Sequence, residues 1–133
     1  MKAVIDTNVF VSGIFWKGPP YRVLKAWGQG KFKLVVSTEI IEEYRRVLLE
    51  LSEKRPGIAV DQVLELVNLQ AEMVQAPVFA KAICSDPDDD KFLAAALGGR
   101  AGYVVTGDKA LLKVSSFHGI EVLTPAKFIA LVS

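Results

Sequence analysis

The chain alternates short runs of apolar, often β-branched residues with longer segments whose apolar residues recur at helical spacing. Strands are expected at residues 3–5, 32–36, 103–106 and 121–123, and residues 75–79 form a weak strand or an extended link. Helices are expected at 21–28, 38–51, 60–74, 86–98, around 111–112 and after 124–125. The strand runs are continuously apolar, which is typical of strands buried on both faces. The pattern therefore predicts an α/β fold, with a mainly parallel central β-sheet flanked by helices on both faces.

The length predicts a single domain spanning residues 1–133, because a chain of 133 residues has no room for two. The only cysteine, Cys84, excludes an internal disulfide and a thiolate metal cage. Asp6 interrupts the N-terminal apolar stretch that a signal peptide needs, and no run of about 18 apolar residues occurs. We therefore expect a cytoplasmic protein without a membrane span. A net charge of +1 does not exclude a nucleic-acid partner.

Two acids follow predicted strands directly. Asp6 comes after the first strand, and Asp108 comes after the strand at 103–106. In open α/β sheets the ligand crevice lies beyond the carboxyl ends of the strands, so these two side chains can meet there. A turn-forming role is the alternative for each, above all for Asp108 beside Gly107.

A third acid belongs to the run of aspartates at 86–90. Asp89 shares a helix face with residues 93 and 96, so it points the same way as the core stripe, whereas Asp86 is suited to cap the helix. The spacing of the aspartates at 86, 88 and 90 also matches the ligand positions of a calcium-binding loop. That interpretation fails because Lys91 and Leu97 stand where the loop needs glycine and glutamate.

Glu43 lies at the border between the apolar stripe and the polar face of its helix. The pattern alone favours a solvated or ion-paired glutamate at such a position.

Five segments together resemble the PIN-domain family, in order and across essentially the whole chain. They are Val4-Ile5-Asp6-Thr7-Asn8, the helix around Glu43-Tyr44-Arg45-Arg46-Val47-Leu48, Asp86-Pro87-Asp88-Asp89-Asp90-Lys91-Phe92-Leu93, Val105-Thr106-Gly107-Asp108 with Leu111-Leu112, and residues 120–128. The similarity is greatest to the toxin-component (VapC-like) subgroup of toxin–antitoxin systems. That subgroup often has asparagine where this chain has Asp90, so Asp89 and Asp90 compete as the third acid. Asp89 aligns with the family's acid.

The resemblance implies a ribonuclease whose catalytic and metal-binding residues are Asp6, Glu43, Asp89 and Asp108. Oxygen ligands without histidine or cysteine suit hard ions, so Mg²⁺ or Mn²⁺ is the expected cofactor. Asp6 would be the central ligand, Asp89 and Asp108 would complete the site, and Glu43 would hold a second ion or its water. The resemblance is compatible with either one or two bound ions. The implied partners are single-stranded or structured RNA, an antitoxin protein and a second copy of the chain in a homodimer.

Further residues have weaker interpretations. Four residues could donate hydrogen bonds that orient the carboxylates, or could simply cap helices and form turns: Thr7, Asn8, Ser37 and Thr106. Six basic residues could contact the substrate or could simply be solvated charges: Lys17, Arg22, Arg45, Arg46, Lys109 and Lys113. His118 is expected in a surface loop. Aromatic residues between 10 and 16 could stack a base, form a dimer surface or pack in the core, and core packing is favoured for Phe15.

Other function classes fit the residues less well. A haloacid-dehalogenase-type phosphatase needs a second aspartate where Asn8 stands, and a phosphoacceptor receiver domain needs paired acids at the first strand, where only Asp6 is present. The remaining alternatives are an RNA-processing nuclease outside a toxin–antitoxin pair and a PIN-like module that binds nucleic acid or a partner without cutting.

Overall fold

Five parallel strands form the central sheet of the protein, in the order β3-β2-β1-β4-β5. The structure is a computed structural model and describes residues 1–133. In chain order the elements are β1 (Lys2–Ile5), α1 (Thr7–Phe15), α2 (Pro19–Gly28), β2 (Lys33–Val36), α3 (Thr38–Lys54), α4 (Val60–Gln70), β3 (Glu72–Met73), a 3₁₀ turn (Pro87–Asp89), α5 (Asp90–Gly98), β4 (Tyr103–Val105), α6 (Lys109–Leu112), β5 (Glu121–Leu123) and α7 (Pro125–Val132). The predicted α/β class with a parallel sheet is confirmed.

The direction of travel through the sheet reverses at β1. The chain first moves from β1 to β2 and β3, and then returns to add β4 and β5 on the other side of β1. Ile5 of β1 pairs with Val105 of β4, so these two strands end at the same level. A reversal of this kind leaves a crevice beyond the carboxyl ends of the two strands, which is the usual ligand site of such sheets.

Helices cover both faces of the sheet. Crossovers between parallel strands are right-handed in nearly all proteins, and this rule puts the helices before and after the reversal on opposite faces. Helix α5 packs against β1, β2 and β4. Three consecutive β1 residues, Ala3, Val4 and Ile5, are fully buried, as continuous apolar strands require. No helix combines the length and the hydrophobicity needed to cross a membrane.

Side-chain caps start several helices at the carboxyl edge of the sheet. Asp6 accepts a hydrogen bond from the Val9 N–H at the start of α1, and Ser37 accepts one from Ile40 at the start of α3. These caps satisfy N–H groups that a helix leaves free at its first turn. Strand ends and helix starts therefore coincide where the candidate acids lie.

Two predicted boundaries are wrong. The helix expected over 60–74 ends at Gln70, and Glu72–Met73 instead forms β3, which pairs with Val35 and Val36 of β2. The sheet edge supplies hydrogen bonds that compete with the helix, including one from the Val74 N–H to the Val36 carbonyl. Residues 75–79 are the extended link rather than a strand. The helix expected from residue 86 begins with the 3₁₀ turn, and its α-helical part starts at Asp90.

Candidate active site

A pocket of about 270 Å³ lies beyond the carboxyl ends of β1 and β4. It brings together all four acids predicted from the sequence, although they come from four separate segments. The residues lining it are Asp6, Thr7, Asn8, Glu43, Arg46, Val47, Asp86, Asp88, Asp89, Phe92 and Asp108. An adjoining pocket of about 450 Å³ shares Asp6, Asn8 and Asp108, so the acids lie along a wider groove.

Asp6 is the most buried of the four acids, with 6% of its surface exposed. One carboxylate oxygen accepts the hydrogen bond from Val9, 2.8 Å away, and the other accepts one from the Thr106 hydroxyl. Burial raises the pKa of Asp6; the two hydrogen bonds oppose the shift, while the charges of Asp108 and Glu43 add to it. Asp6 is therefore held in a fixed orientation at an energetic cost to its ionised form.

Thr106 connects the ends of β1 and β4. Its fully buried hydroxyl donates to Asp6 and accepts a hydrogen bond from the Asp108 N–H at 3.0 Å. The Asp108 carboxylate in turn accepts one from Ala110 at the start of α6. Thr106 therefore has both of the roles considered for it, since it orients the Asp6 carboxylate and stabilises the turn that carries Asp108.

Glu43 reaches the pocket from α3. Its side chain is 13% exposed and its two oxygens accept hydrogen bonds from the Thr7 hydroxyl and the Lys91 ammonium group. The next residue, Tyr44, is fully buried and donates a hydrogen bond to the Ile5 carbonyl, which ties α3 to the end of β1. This anchoring explains how a glutamate at the border of an apolar stripe comes to face Asp6.

Asp89 and Asp90 have different environments, although they are adjacent. The Asp89 Oδ2 atom is buried and has no hydrogen-bond partner. Burial, followed by the charges of Asp108, Asp86 and Asp6, raises the pKa of Asp89 to about 6. For Asp90 burial also acts to raise the pKa, but hydrogen bonds from Ile83 and Cys84 prevail and lower it. Asp90 thus anchors the preceding loop, and Asp89 has an oxygen free for a ligand.

The pocket carries an excess of negative charge, and only two of its acids, Glu43 and Asp88, are paired with a basic side chain. Salt bridges reach Glu43, from Lys91 and Arg46, and the exposed Asp88, from Lys91; none reaches Asp6, Asp89 or Asp108. No group of three acidic, histidine or cysteine side chains is arranged to hold a metal ion as it stands. Each oxygen of Asp6 and of Glu43 accepts one hydrogen bond and keeps a further lone pair that a cation can use.

The donor set nevertheless fits a hard cation. It consists of carboxylate oxygens, which suit Mg²⁺ and Mn²⁺. A buried carboxylate oxygen with no partner is rare in folded proteins, because leaving it unsatisfied costs free energy. The free Oδ2 of Asp89, beside other acids that have no basic partner, is the observation that fits a cation here.

Other predicted residues take different positions. Ser37 caps α3 and does not line the pocket, whereas Asn8 does. Of the six candidate bases only Arg46 lines it. His118 is exposed in the turn before β5, as expected, and Phe15 packs partly buried against the core.

Three residues at the site were not predicted as part of it. Asp86 and Asp88 line the pocket in addition to capping or flanking the 3₁₀ turn. Lys91 pairs with Glu43 from a position 48 residues further along the chain. Asp88 and Lys91 are three residues apart, a spacing that favours an ion pair within one helical segment. Nothing in the neighbouring sequence indicated the contact of Lys91 with Glu43.

The sequence matches a family model described as PIN domain over residues 2–110. It is also 28% identical, over 141 aligned positions, to the uncharacterised protein MJ1680 of Methanocaldococcus jannaschii. That alignment covers 97% of this chain and 90% of the relative.

Two solved structures resemble the fold. The crystal structure of PAE2754 from Pyrobaculum aerophilum superimposes with a TM-score of 0.65 at 13% identity, covering 99% of this chain and 89% of that one. VapBC2 from Rickettsia felis, solved bound to a DNA fragment from its promoter, gives a TM-score of 0.57 at 13% identity, covering 93% and 98% of the two chains. At these identities the structural likeness concerns the fold.

Proposed function

The chain belongs to the PIN-domain family, and on that premise we propose that it is a metal-dependent ribonuclease that acts as the toxin component of a toxin–antitoxin pair. PIN domains are generally nucleases that use divalent metal ions. The toxin assignment is supported by the resemblance of the acidic motifs to that subgroup. The observation that carries the metal site is the buried, unpartnered Oδ2 of Asp89 among uncompensated acids.

Asp6, Asp89 and Asp108 are the residues that would hold a divalent ion, with Mg²⁺ or Mn²⁺ as the hard cations that suit them. Burial is the main cause of the raised pKa values of Asp6 and Asp89, and the repulsion between the neighbouring negative charges adds to it. When bound, the ion supplies charge stabilisation at a phosphodiester and lowers the pKa of water for attack in line with the leaving group. The reaction class is hydrolysis without a covalent enzyme intermediate.

The chain's own residues prepare this chemistry. Thr106 and the N-terminus of α1 fix the Asp6 carboxylate, and the same threonine positions the Asp108 backbone. Thr7 holds Glu43, the fourth predicted catalytic acid, at the edge of the same pocket. Such supporting hydrogen bonds orient carboxylates and limit the reorganisation needed when a ligand binds. Arg46 provides a base at the rim of the pocket, where a phosphate group would approach.

The test is cleavage of labelled single-stranded RNA and single-stranded DNA by the purified protein with Mn²⁺, Mg²⁺ or EDTA. We expect metal-dependent cleavage of RNA that is lost in Asp6→Asn and retained in Asp61→Asn. Asp61 is an exposed acid of α4 outside the pocket, so it provides a matched charge change. RNA cleavage that persists in EDTA or in Asp6→Asn would refute the proposed site.

The toxin role needs a separate test. Expression of the protein should arrest growth of a bacterial host, and co-expression of a small open reading frame adjacent to the gene should relieve the arrest. Asp6→Asn should not arrest growth. An active nuclease that leaves growth unaffected would instead favour RNA processing outside a toxin–antitoxin pair, and a protein that binds RNA without cleaving it would favour the non-cleaving module.

A further inference from the structure

Lys91 places a cationic side chain beside the acidic pocket. Its side chain is only 11% exposed, although lysine is normally a surface residue. The ammonium group contacts Glu43 and lies 3.1 Å from Asp88 Oδ1. Glu43 belongs to α3 and Lys91 to α5, so the ion pair joins two helices.

The surroundings of Glu43 differ from those of Asp6, Asp89 and Asp108. One Glu43 oxygen accepts a hydrogen bond from Thr7, and the other contacts Lys91 and lies 3.8 Å from the Arg46 guanidinium. The negative charge of Glu43 is thus balanced by the chain itself. Asp6, Asp89 and Asp108 have no basic side chain within salt-bridge distance. Of the acids that line the pocket, Glu43 and Asp88 have a basic partner, whereas Asp6, Asp86, Asp89 and Asp108 have none.

We infer that the Lys91 ammonium group takes the place of a second divalent ion at Glu43, so that the pocket binds a single divalent ion through Asp6, Asp89 and Asp108. This inference rests on the proposed function and specifies the stoichiometry of its metal site. A second dication at Glu43 would have to displace a buried ammonium group of the same sign of charge, and the two cannot share the carboxylate without repulsion.

Lys91 is in this view a positioning residue. It holds Glu43 directed along the wall of the pocket, through a contact that needs no ion from solution. Asp88, which is 68% exposed, gives the ammonium group a second acceptor and fixes its direction. Removal of the ammonium group leaves a carboxylate with a largely solvated guanidinium as its only basic neighbour, since the Arg46 side chain is 61% exposed.

The experiment measures the number of Mn²⁺ ions bound per chain, by isothermal titration calorimetry and by the electron paramagnetic resonance signal of coupled Mn²⁺ pairs. We expect one ion for the unaltered protein and for Lys91→Arg, which keeps the charge. Lys91→Met should bind two ions and give the spin-coupled signal. The double variant Lys91→Met/Glu43→Gln should return to one ion, because the second site then lacks its carboxylate.

Two further variants separate this inference from a general effect of charge or folding. Arg46→Met removes the exposed cation near Glu43 and should still bind one ion. Glu43→Gln alone should still bind one ion, with a weaker affinity because a nearby negative charge is lost. This control does not depend on the folding of Lys91→Met. Circular dichroism and thermal unfolding report on the folded state of each variant.

The outcomes distinguish the two proposals. Two ions in the unaltered protein, a single ion in folded Lys91→Met, or loss of the ion in Glu43→Gln each overturn the inference about Lys91 and leave the metal site intact. No Mn²⁺ binding by the unaltered protein overturns the metal site of the proposed function, and the inference with it.

Discussion

Replacement of Asp89 by asparagine should stabilise the metal-free protein at neutral pH. The folded protein raises the pKa of Asp89 from 3.8 to about 6, because burial and the neighbouring acids disfavour its charge. An acid with a raised pKa in the folded state contributes stability that is fully present below its unfolded pKa and is lost as the pH rises through the folded value. Metal-free protein should therefore lose stability between about pH 4 and pH 6, and Asp89→Asn should not show this part of the loss.

The magnitude follows from the size of the shift. A difference of about two pKa units at about 1.4 kcal/mol per unit sets an upper limit of about 3 kcal/mol. Part of the Asp89 side chain remains in contact with solvent. Screening then reduces the expected gain in unfolding free energy to about 1–2 kcal/mol above pH 7. Near pH 4 the carboxyl is protonated in the folded state, and the variant and the unaltered protein should have similar stability.

Urea unfolding in EDTA, at intervals between pH 4 and pH 8, measures this difference directly. Asp61→Asn is the matched control, because Asp61 is exposed and lies outside the pocket. Saturating Mn²⁺ should reverse the order, because an ion that binds only the folded state stabilises it by about 2.7 kcal/mol at a concentration 100 times its dissociation constant. A stability difference for Asp89→Asn that is independent of pH, or a variant less stable than the unaltered protein in EDTA at pH 7.5, would refute the reasoning.

Two other substitutions test the supports of the site. Thr106→Val keeps the shape of a fully buried residue but removes the hydroxyl that donates to Asp6. Denaturant unfolding should show that the free energy of unfolding falls by about 1–3 kcal/mol, which is the cost of leaving buried polar groups unsatisfied. An unchanged free energy of unfolding would contradict the importance of this contact. Asp90→Ala removes the acceptor for the Ile83 and Cys84 N–H groups. Limited proteolysis should therefore cut the preceding loop faster, while Mn²⁺ still binds. Loss of Mn²⁺ binding in folded Asp90→Ala would identify Asp90 as a ligand.

Local patterns were sufficient to predict most of the secondary structure. The strands β1, β2, β4 and β5 lie where continuous apolar runs predicted them, and Ser37 caps the helix predicted after β2. Such signals act over a few residues, so they are visible in the sequence. The helix α1 (Thr7–Phe15), which Asp6 caps, was not predicted. The end of α4 was not predictable in this way, because residues 72–73 pair with β2, and that choice depends on a neighbouring strand.

The predicted site was reached by two kinds of argument. Asp6 and Asp108 follow strands, and in a parallel sheet this is enough to bring them to one edge. Glu43 was predicted only through the family resemblance, since its helical position is equally typical of a solvated glutamate. In the structure the position of Glu43 follows from the next residue of α3, Tyr44. The Tyr44 side chain is fully buried and donates a hydrogen bond to the Ile5 carbonyl at the end of β1.

The sequence by itself determined that this protein is a parallel α/β sheet with helix caps and acids at the carboxyl ends of its strands, because periodicity and capping are short-range properties. Only the tertiary structure decided that β1 lies between β2 and β4, that Asp89 rather than Asp90 has a free oxygen, and that Lys91 neutralises Glu43. Those features join residues tens of positions apart in the chain. They depend on how helices dock on the sheet, and no local interaction specifies that docking.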